Sequence, residues 1–119
     1  MTAPESIGPE DVIPPIHPGT FLGEILDELE ISHDKLAAAI KVPAGNITAI
    51  VNGHSPITCD MAMRIGKALW MSPETWMNLQ NMYELEMAQL STDTSSIVPL
   101  VPPPDDELLR APVAKFISL

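Results

Sequence analysis

The chain has 119 residues, of which 45% are apolar and 18% charged, so we expect one folded globular domain rather than wholesale disorder. No apolar run approaches the ~20 residues that a membrane span needs, and no secretory leader is recognisable, so a cytoplasmic protein without a membrane partner is predicted. The net charge is −10 with only six Lys and Arg residues, which opposes DNA binding because cations that neutralise phosphates supply much of that affinity.

Prolines cluster at both ends of the chain, four before residue 17 and five after residue 98. Because proline lacks a backbone N–H and fixes φ, regular helix is not expected in these segments. The sequence therefore predicts an N-terminal tail over residues 1–16, a compact domain over 17–90, and a flexible C-terminal linker and tail over 91–119. The C-terminal run "DDELLRAPVAKFISL" is a candidate interaction arm.

Between the tails, apolar residues recur at helical spacing and no strand is predicted. Helices are expected after Pro18, after N-caps at Ser32 and Thr58, from Pro43, and from Ser72. The sequence thus predicts an all-α domain of five helices. The residues expected to face its core are Phe21, Leu22, Ile25, Leu26, Leu29, Leu36, Ala37, Ile40, Ile47, Ile50, Val51, Ala62, Ile65, Leu69, Trp76, Leu79, Tyr83, Met87 and Leu90.

The second and third helices have the spacing of a helix-turn-helix motif. A short helix is followed by a tight turn and a helix of about ten residues, and in such a pair the second member can lie in a DNA major groove. Asn52-Gly53 is expected to end this third helix, because glycine tolerates the left-handed conformation there. Many helical bundles contain such a pair, so spacing alone does not establish DNA binding.

The residue order is more specific than the spacing. The runs "IHPGTFLGEIL" (16–26), "LAAAIKVPAGNITAIVNGHSPIT" (36–58) and "SPETWMNLQNMYELE" (72–86) resemble the HigA/VapI branch of the Xre-type helix-turn-helix family. The resemblance covers roughly residues 16–87. It implies a lambda-repressor-like fold and a homodimeric antitoxin that binds a HigB-like ribonuclease toxin and represses its own operon by binding double-stranded operator DNA.

The departures from the family pattern lie on the surface of the third helix and around it. Family members commonly carry glutamine at the position of His33 and glycine at that of Lys41. They also carry Arg or Lys around Ala38, Ala44, Asn46, His54 and Ser55. This surface is therefore nearly free of charge here, whereas the landmarks that face the core are retained.

Uncharged polar groups remain available for DNA contact on this surface. Asn46 and Asn52 can pair with adenine, and Thr48 can donate to a base or contact a thymine methyl. Backbone N–H groups at the starts of the second and third helices can hold phosphates without side-chain charge. The candidate DNA-contacting residues are His33, Lys41, Ala44, Gly45, Asn46, Thr48, Ala49, Asn52 and His54. With about two to four cationic contacts per subunit, we expect weak, salt-sensitive operator binding that requires a dimer.

No cofactor, metal site or catalytic centre is predicted. The three histidines and Cys59 lack the spacing of ligand pairs on one face, and neither a nucleophile elbow nor a phosphate-cradling glycine loop is present. The acidic residues of the first helix could attract a cationic toxin. Trp70 lies where family members tend to carry smaller residues, and an exposed aromatic there would indicate a dimer interface.

Two further hypotheses remain open at this stage. The chain could be a stand-alone Xre-type repressor without a toxin, or a protein-interaction module that kept the fold and lost DNA binding. All repressor hypotheses require the polar edge of the third helix to be exposed.

Overall fold

The computed structural model describes residues 13–103, which contain five helices and no strand. The helices are α1 (Pro18–Leu29), α2 (His33–Ile40), α3 (Ala44–Val51), α4 (Cys59–Leu69) and α5 (Pro73–Ser91). The all-α prediction is confirmed. Residues 1–12 and 104–119, which include most of the predicted tails and the proposed C-terminal arm, lie outside the described residues. None of the described helices is long and apolar enough to span a membrane.

Side-chain caps explain where four of the helices begin. His17, Ser32, Thr58 and Ser72 each accept a hydrogen bond from a backbone N–H in the first turn of α1, α2, α4 and α5. The start of α3 differs, because its N-cap Pro43 has no side-chain acceptor. The predicted helix start at Pro43 is wrong by one residue, since its φ of −62° and ψ of 143° are extended rather than helical.

The core lies where the five helices meet, and it contains most of the predicted residues. The buried apolar residues are Leu22, Leu26, Leu36, Ala37, Ile40, Ile47, Ile50, Ile57, Met61, Ala62, Ile65 and Trp76. Five more predicted residues are half-buried against this cluster: Phe21, Ile25, Val51, Leu69 and Leu79. Ile57 and Met61 were not predicted: Ile57 precedes the α4 N-cap, whereas Met61 lies four residues before Ile65 on the same helical stripe and could have been.

Three predicted core positions are wrong. Leu29, Met87 and Leu90 are 54%, 43% and 73% exposed. Helix α5 has 19 residues against 11 in α4, so it is longer by roughly 12 Å at ~1.5 Å per residue. Its last turns therefore extend past its neighbours. Periodicity shows the apolar stripe of α5 but not that this stripe is longer than the surface it packs against.

A close approach between α1 and α3 fixes the position of the helix-turn-helix unit. A Cβ atom at Gly19 would lie 1.7 Å from the Ile50 carbonyl oxygen, so the two backbones meet where only glycine fits. A similar approach occurs at Gly66, where a Cβ atom would lie 2.4 Å from the Met71 carbonyl oxygen. The Gly19 contact holds α3 against α1, and the Gly66 contact holds the segment before α5 against α4.

Candidate nucleic-acid interface

Helix α3 has one buried face and one exposed polar edge. Ile47 and Ile50 are 0% and 2% exposed and pack in the core. On the outer side, Gly45, Asn46 and Thr48 are exposed to solvent. The condition on which the repressor hypotheses depend is therefore met in the isolated subunit.

A side-chain hydrogen bond connects this edge to the start of α2. His33 Nδ1 and Thr48 Oγ1 are 3.0 Å apart, and the tautomer of the imidazole decides which atom donates. Two of the candidate residues, 15 positions apart in the sequence, are thus brought together across the helix-turn-helix motif. The contact orders the Thr48 hydroxyl. It does not involve Nε2, the other ring nitrogen of the half-buried His33.

The C-terminus of α3 closes through its own backbone. The Ala49 carbonyl accepts hydrogen bonds from the N–H groups of His54 and Ser55, at 2.8 and 3.3 Å. Gly53 has φ 79°, which confirms that Asn52-Gly53 ends the helix. The side chains of Asn52 and His54 are exposed beside this turn, whereas Ala49 is half-buried.

The N-terminus of α3 is open. Ala44 is half-buried against the core, and a Cβ atom at Gly45 would meet nothing within 4 Å. No side chain caps this end, although the Asn46 N–H donates to the Pro43 carbonyl at 3.0 Å. Because the first N–H groups of a helix point outward and carry partial positive charge, this end of α3 can receive an anion.

Lys41 lies apart from the other candidate residues. It follows the last residue of α2 with φ 64°, a left-handed conformation that favours glycine. It lines a groove between α2 and α4 together with Met63 and Lys67, whereas Asn46 lines a separate groove that includes Asp60. The structure therefore does not gather Lys41 with Asn46 at one spot.

Cations near the interface are few. Arg64 is engaged internally, since its Nε lies 2.9 Å from Asp60 Oδ2 and its Nη1 donates to the Ile40 carbonyl at 2.7 Å. Within residues 13–103, the cations left exposed are Lys35, Lys41 and Lys67. This supports the expectation of few phosphate contacts per subunit.

Gln80 supports the loop after α3, and at the sequence level it was included only within the run 72–86 that resembles the family. It is 3% exposed, and its Oε1 accepts a hydrogen bond from the Ile57 N–H at 2.8 Å, while its Nε2 donates to Glu84 Oε2 at 2.7 Å. A polar residue on an otherwise apolar helical stripe was the available signal. Gln80 thereby ties α5 to the segment that follows Asn52 and His54.

His17 supports the same loop from the other side. Its Nδ1 accepts a hydrogen bond from the Gly19 N–H at 2.8 Å, and its ring packs edge-on against Tyr83, 4.9 Å between centroids. Burial lowers the pKa of His17 below its ordinary value, and a hydrogen bond with the Ser55 backbone offsets part of this effect. The neutral imidazole is therefore the form that the fold favours.

Sequence relatives agree with the helix-turn-helix assignment. The HTH-type transcriptional regulator YddM of Escherichia coli K12 is 32% identical over 84 residues, covering 71% of this chain and 89% of that protein. Virulence-associated protein I of Dichelobacter nodosus is 35% identical over 87 residues, covering 72% of this chain and 81% of its own length. No protein-family model matches the chain.

Solved structures identify the branch of the family. An addiction-module antidote protein of the HigA family from Coxiella burnetii is 37% identical, with a TM-score of 0.69 over 75% of this chain and 100% of its own. The antitoxin HigA of Pseudomonas aeruginosa, solved with the higBA promoter, is 41% identical, with a TM-score of 0.69 over 73% of this chain and 99% of its own.

These relatives are antitoxins and transcriptional regulators rather than enzymes, which confirms the expectation of a non-catalytic protein. Within residues 13–103, no group of three or more His, Cys, Asp or Glu side chains is arranged to hold a metal. Together, the exposed α3 edge, the five-helix order and the similarity to antidote proteins place the molecule in one group: the chain belongs to the HigA-type branch of the Xre-like helix-turn-helix proteins.

Proposed function

We propose that the chain is an antitoxin that binds operator DNA as a homodimer, represses its own operon and neutralises a HigB-like ribonuclease toxin. The observation that carries the DNA-binding part is the exposed polar edge of α3 on a helix whose opposite face is locked in the core. A stiff, outward helix with free polar groups suits the major groove. The similar HigA of Pseudomonas aeruginosa was solved with its promoter, which supports this use of the fold.

Base reading is assigned to the outer edge of α3. Asn46 presents an amide that can pair with adenine, and the exposed Thr48, hydrogen-bonded to His33, can contact a base or a thymine methyl. Asn52, at the end of the helix, reads a flanking base or a phosphate. Two subunits present these edges to half-sites about one duplex turn, ~34–36 Å, apart.

Phosphate binding is assigned mostly to the backbone. The uncapped start of α3 offers N–H groups at Ala44 and Gly45, and the absence of a Cβ at Gly45 lets a sugar–phosphate chain come close. His54 offers a polar ring at the margin, whereas Lys41 borders the α2–α4 groove instead. Because so few cations take part, the dependence of affinity on salt is shallower than for interfaces that neutralise ~6–10 phosphates.

Toxin neutralisation is assigned to the acidic surfaces outside α3. The exposed side of α1 carries Glu24, Asp27 and Glu28, and Glu30 follows as its C-cap. An acidic face of this kind accelerates encounter with a cationic protein, as a ribonuclease toxin that binds RNA phosphates would be. Binding there leaves α3 free, so toxin and operator can be held together.

The DNA assignment is tested with Asn46→Ala and Thr48→Ala on the fragment that precedes the gene, by fluorescence anisotropy at several salt concentrations. Each substitution should weaken specific binding by about 1–3 kcal/mol and leave the salt slope unchanged, because neither side chain is a cation. Asn81→Ala, an exposed asparagine on α5, is the matched control and should bind as the wild type does. Equal affinity of the Asn46 variant, the Thr48 variant and the wild type would refute the assignment.

The toxin assignment is tested by co-expression with the adjacent gene. We expect growth to be rescued by the wild type and by Asn46→Ala, because masking does not use α3. Reversing charge at Glu24 and Glu28 should weaken rescue, whereas reversing Glu74 at the start of α5 should not. Absence of a toxic, basic neighbour would leave the stand-alone repressor as the function.

A further inference from the structure

Trp70 combines two unfavourable features at one position. It follows the last residue of α4 with φ 57°, a backbone conformation that favours glycine and is rare for bulky residues. Its side chain is 95% exposed, so the isolated subunit gains no burial energy from the indole. A glycine would fit the turn better, and the tryptophan therefore requires an explanation outside the single subunit.

The surface beside Trp70 is apolar and grooved. Met63 is 63% exposed and borders two adjoining grooves. One, of about 440 Å³, lies next to Trp70 itself, and the other, of about 480 Å³, runs between α2 and α4. Lys41, Arg64 and Lys67 line the second groove around its apolar floor. Such a groove suits an aromatic ring, because methionine adapts to aromatic shapes and cations interact with the ring face.

We propose that a second copy of the chain covers this face, with Trp70 of each subunit inserted into the α2–α4 groove of the other. A projecting ring and a groove that fits a ring lie on one face, which is the self-complementarity that a two-fold interface requires. The inference rests on the proposed homodimeric binding of DNA and names the surface that forms the dimer.

Charge favours a second copy over a cationic toxin as the occupant. Lys41 and Lys67 would repel a basic protein, whereas a second copy carries a net charge of −10 and presents an indole ring that accepts cations at its face. Arg64 is already paired with Asp60 and adds little repulsion between the two copies. Pairing through the exposed side of α1 would instead oppose two sets of carboxylates, those of Glu24, Asp27, Glu28 and Glu30.

Area and access are consistent with this arrangement. Two buried tryptophans supply roughly 300–500 Å² of the ~1,200 Å² that a specific interface needs, and the flanking groove walls can supply the rest. The α2–α4 groove shares no lining residue with the groove that Asn46 borders. The groove proposed to receive Trp70 is therefore distinct from the groove at the outer edge of α3.

The test is analytical ultracentrifugation of the full chain with Trp70→Gly, because glycine suits the left-handed turn and the variant should fold. We expect a wild-type dimer and a dissociation constant at least about 100-fold higher in the variant, since both copies lose a central aromatic anchor. Leu90→Ala removes an equally apolar, 73% exposed side chain from α5 and should stay dimeric. A dimeric Trp70 variant, a monomeric wild type, or a monomeric Leu90 variant would each overturn the proposal.

Three further measurements test the dimer surface, and the last of them separates this inference from the DNA assignment. Met63→Glu, in the groove wall, should break the dimer while leaving thermal stability near that of the wild type, because Met63 is exposed in the subunit. Dilution of the wild type should increase acrylamide quenching of Trp70, while the buried Trp76 contributes a constant background. On the promoter fragment, a monomeric Trp70 variant should lose full-site affinity and keep half-site contacts. If the monomeric Trp70 variant binds a half-site equally well with and without Asn46→Ala, the DNA assignment is wrong and the dimer proposal stands.

Discussion

The two faces of α3 differ in how tightly they are packed. The space around two glycines, one on each side, shows the difference. At Gly19, which packs against the inner side of α3, an added Cβ would lie 1.7 Å from a backbone oxygen. At Gly45, on the outer side, the same atom would meet nothing within 4 Å. The inner face fixes the position of the helix, and the outer face is free to serve binding.

Substitutions on the inner side should lower stability and DNA affinity together, because the helix moves or the domain unfolds. Substitutions on the outer side should change affinity alone. The contrast fails if an outer substitution unfolds the domain, or if an inner one leaves both properties intact.

The largest effect is expected for Gly19→Ala. The methyl group would overlap the Ile50 carbonyl, so α1 and α3 must separate, at a cost of about 3 kcal/mol or more. This is a large fraction of the ~5–15 kcal/mol that holds a small domain together. Urea denaturation measures it. Gly23→Ala is the graded control, because its methyl would meet only the Val51 Cγ1 at 3.0 Å and a side chain can yield. Equal stabilities of the two variants would contradict the explanation.

A smaller loss is expected for Gln80→Leu. Leucine fills the space but leaves the buried Ile57 N–H without its acceptor, which costs about 1–3 kcal/mol. The loop that carries His54 should also become more mobile, so hydrogen exchange at Ile57 should accelerate. Gln89→Leu, on the exposed end of α5, should leave stability within about 0.5 kcal/mol of the wild type. Unchanged exchange at Ile57 in the Gln80 variant would show that the hydrogen bond contributes little.

The inner face was largely predictable from sequence because its signals are local. Apolar spacing placed Ile47 and Ile50 inward, and cap residues such as Ser32 and Thr58 gave the helix starts. Tertiary contacts were less accessible. Nothing in the sequence indicates that α5 extends past its neighbours and exposes Leu90.

The outer face was predictable only as a set of residue types. Sequence reasoning named Asn46 and Thr48, but the hydrogen bond between Thr48 and His33 joins residues 15 positions apart and depends on how α2 crosses α3. The sequence also places Lys41 among the candidate DNA-contacting residues, yet Lys41 lines a different groove. Which groove a side chain borders is decided by packing, not by its place in the motif.

Gly45→Ala separates stability from binding most cleanly. Alanine in an exposed helix with free space should stabilise the domain by about 0.4–1 kcal/mol, raising the melting temperature by a few degrees. Affinity for the promoter fragment should fall, because the methyl keeps the sugar–phosphate chain away from the start of α3. Higher stability together with lower promoter affinity would show that the outer face serves binding rather than folding. Unchanged affinity would remove Gly45 from the interface.

The smallest effect concerns pH and tests whether the inner support of the α3–α4 loop depends on a neutral His17. Burial lowers the pKa of His17 below 6.5 in the folded chain, so the unfolded chain binds the proton first as pH falls. The contribution of His17 to stability is therefore complete above pH 6.5 and declines as the pH falls from 6.5 toward the folded pKa. Protonated Nδ1 also cannot accept from the Gly19 N–H. His17→Asn keeps an N-cap acceptor that does not titrate, so its melting temperature should change less between pH 7 and 5. An equal slope in the wild type and the His17 variant would remove His17 from the pH response.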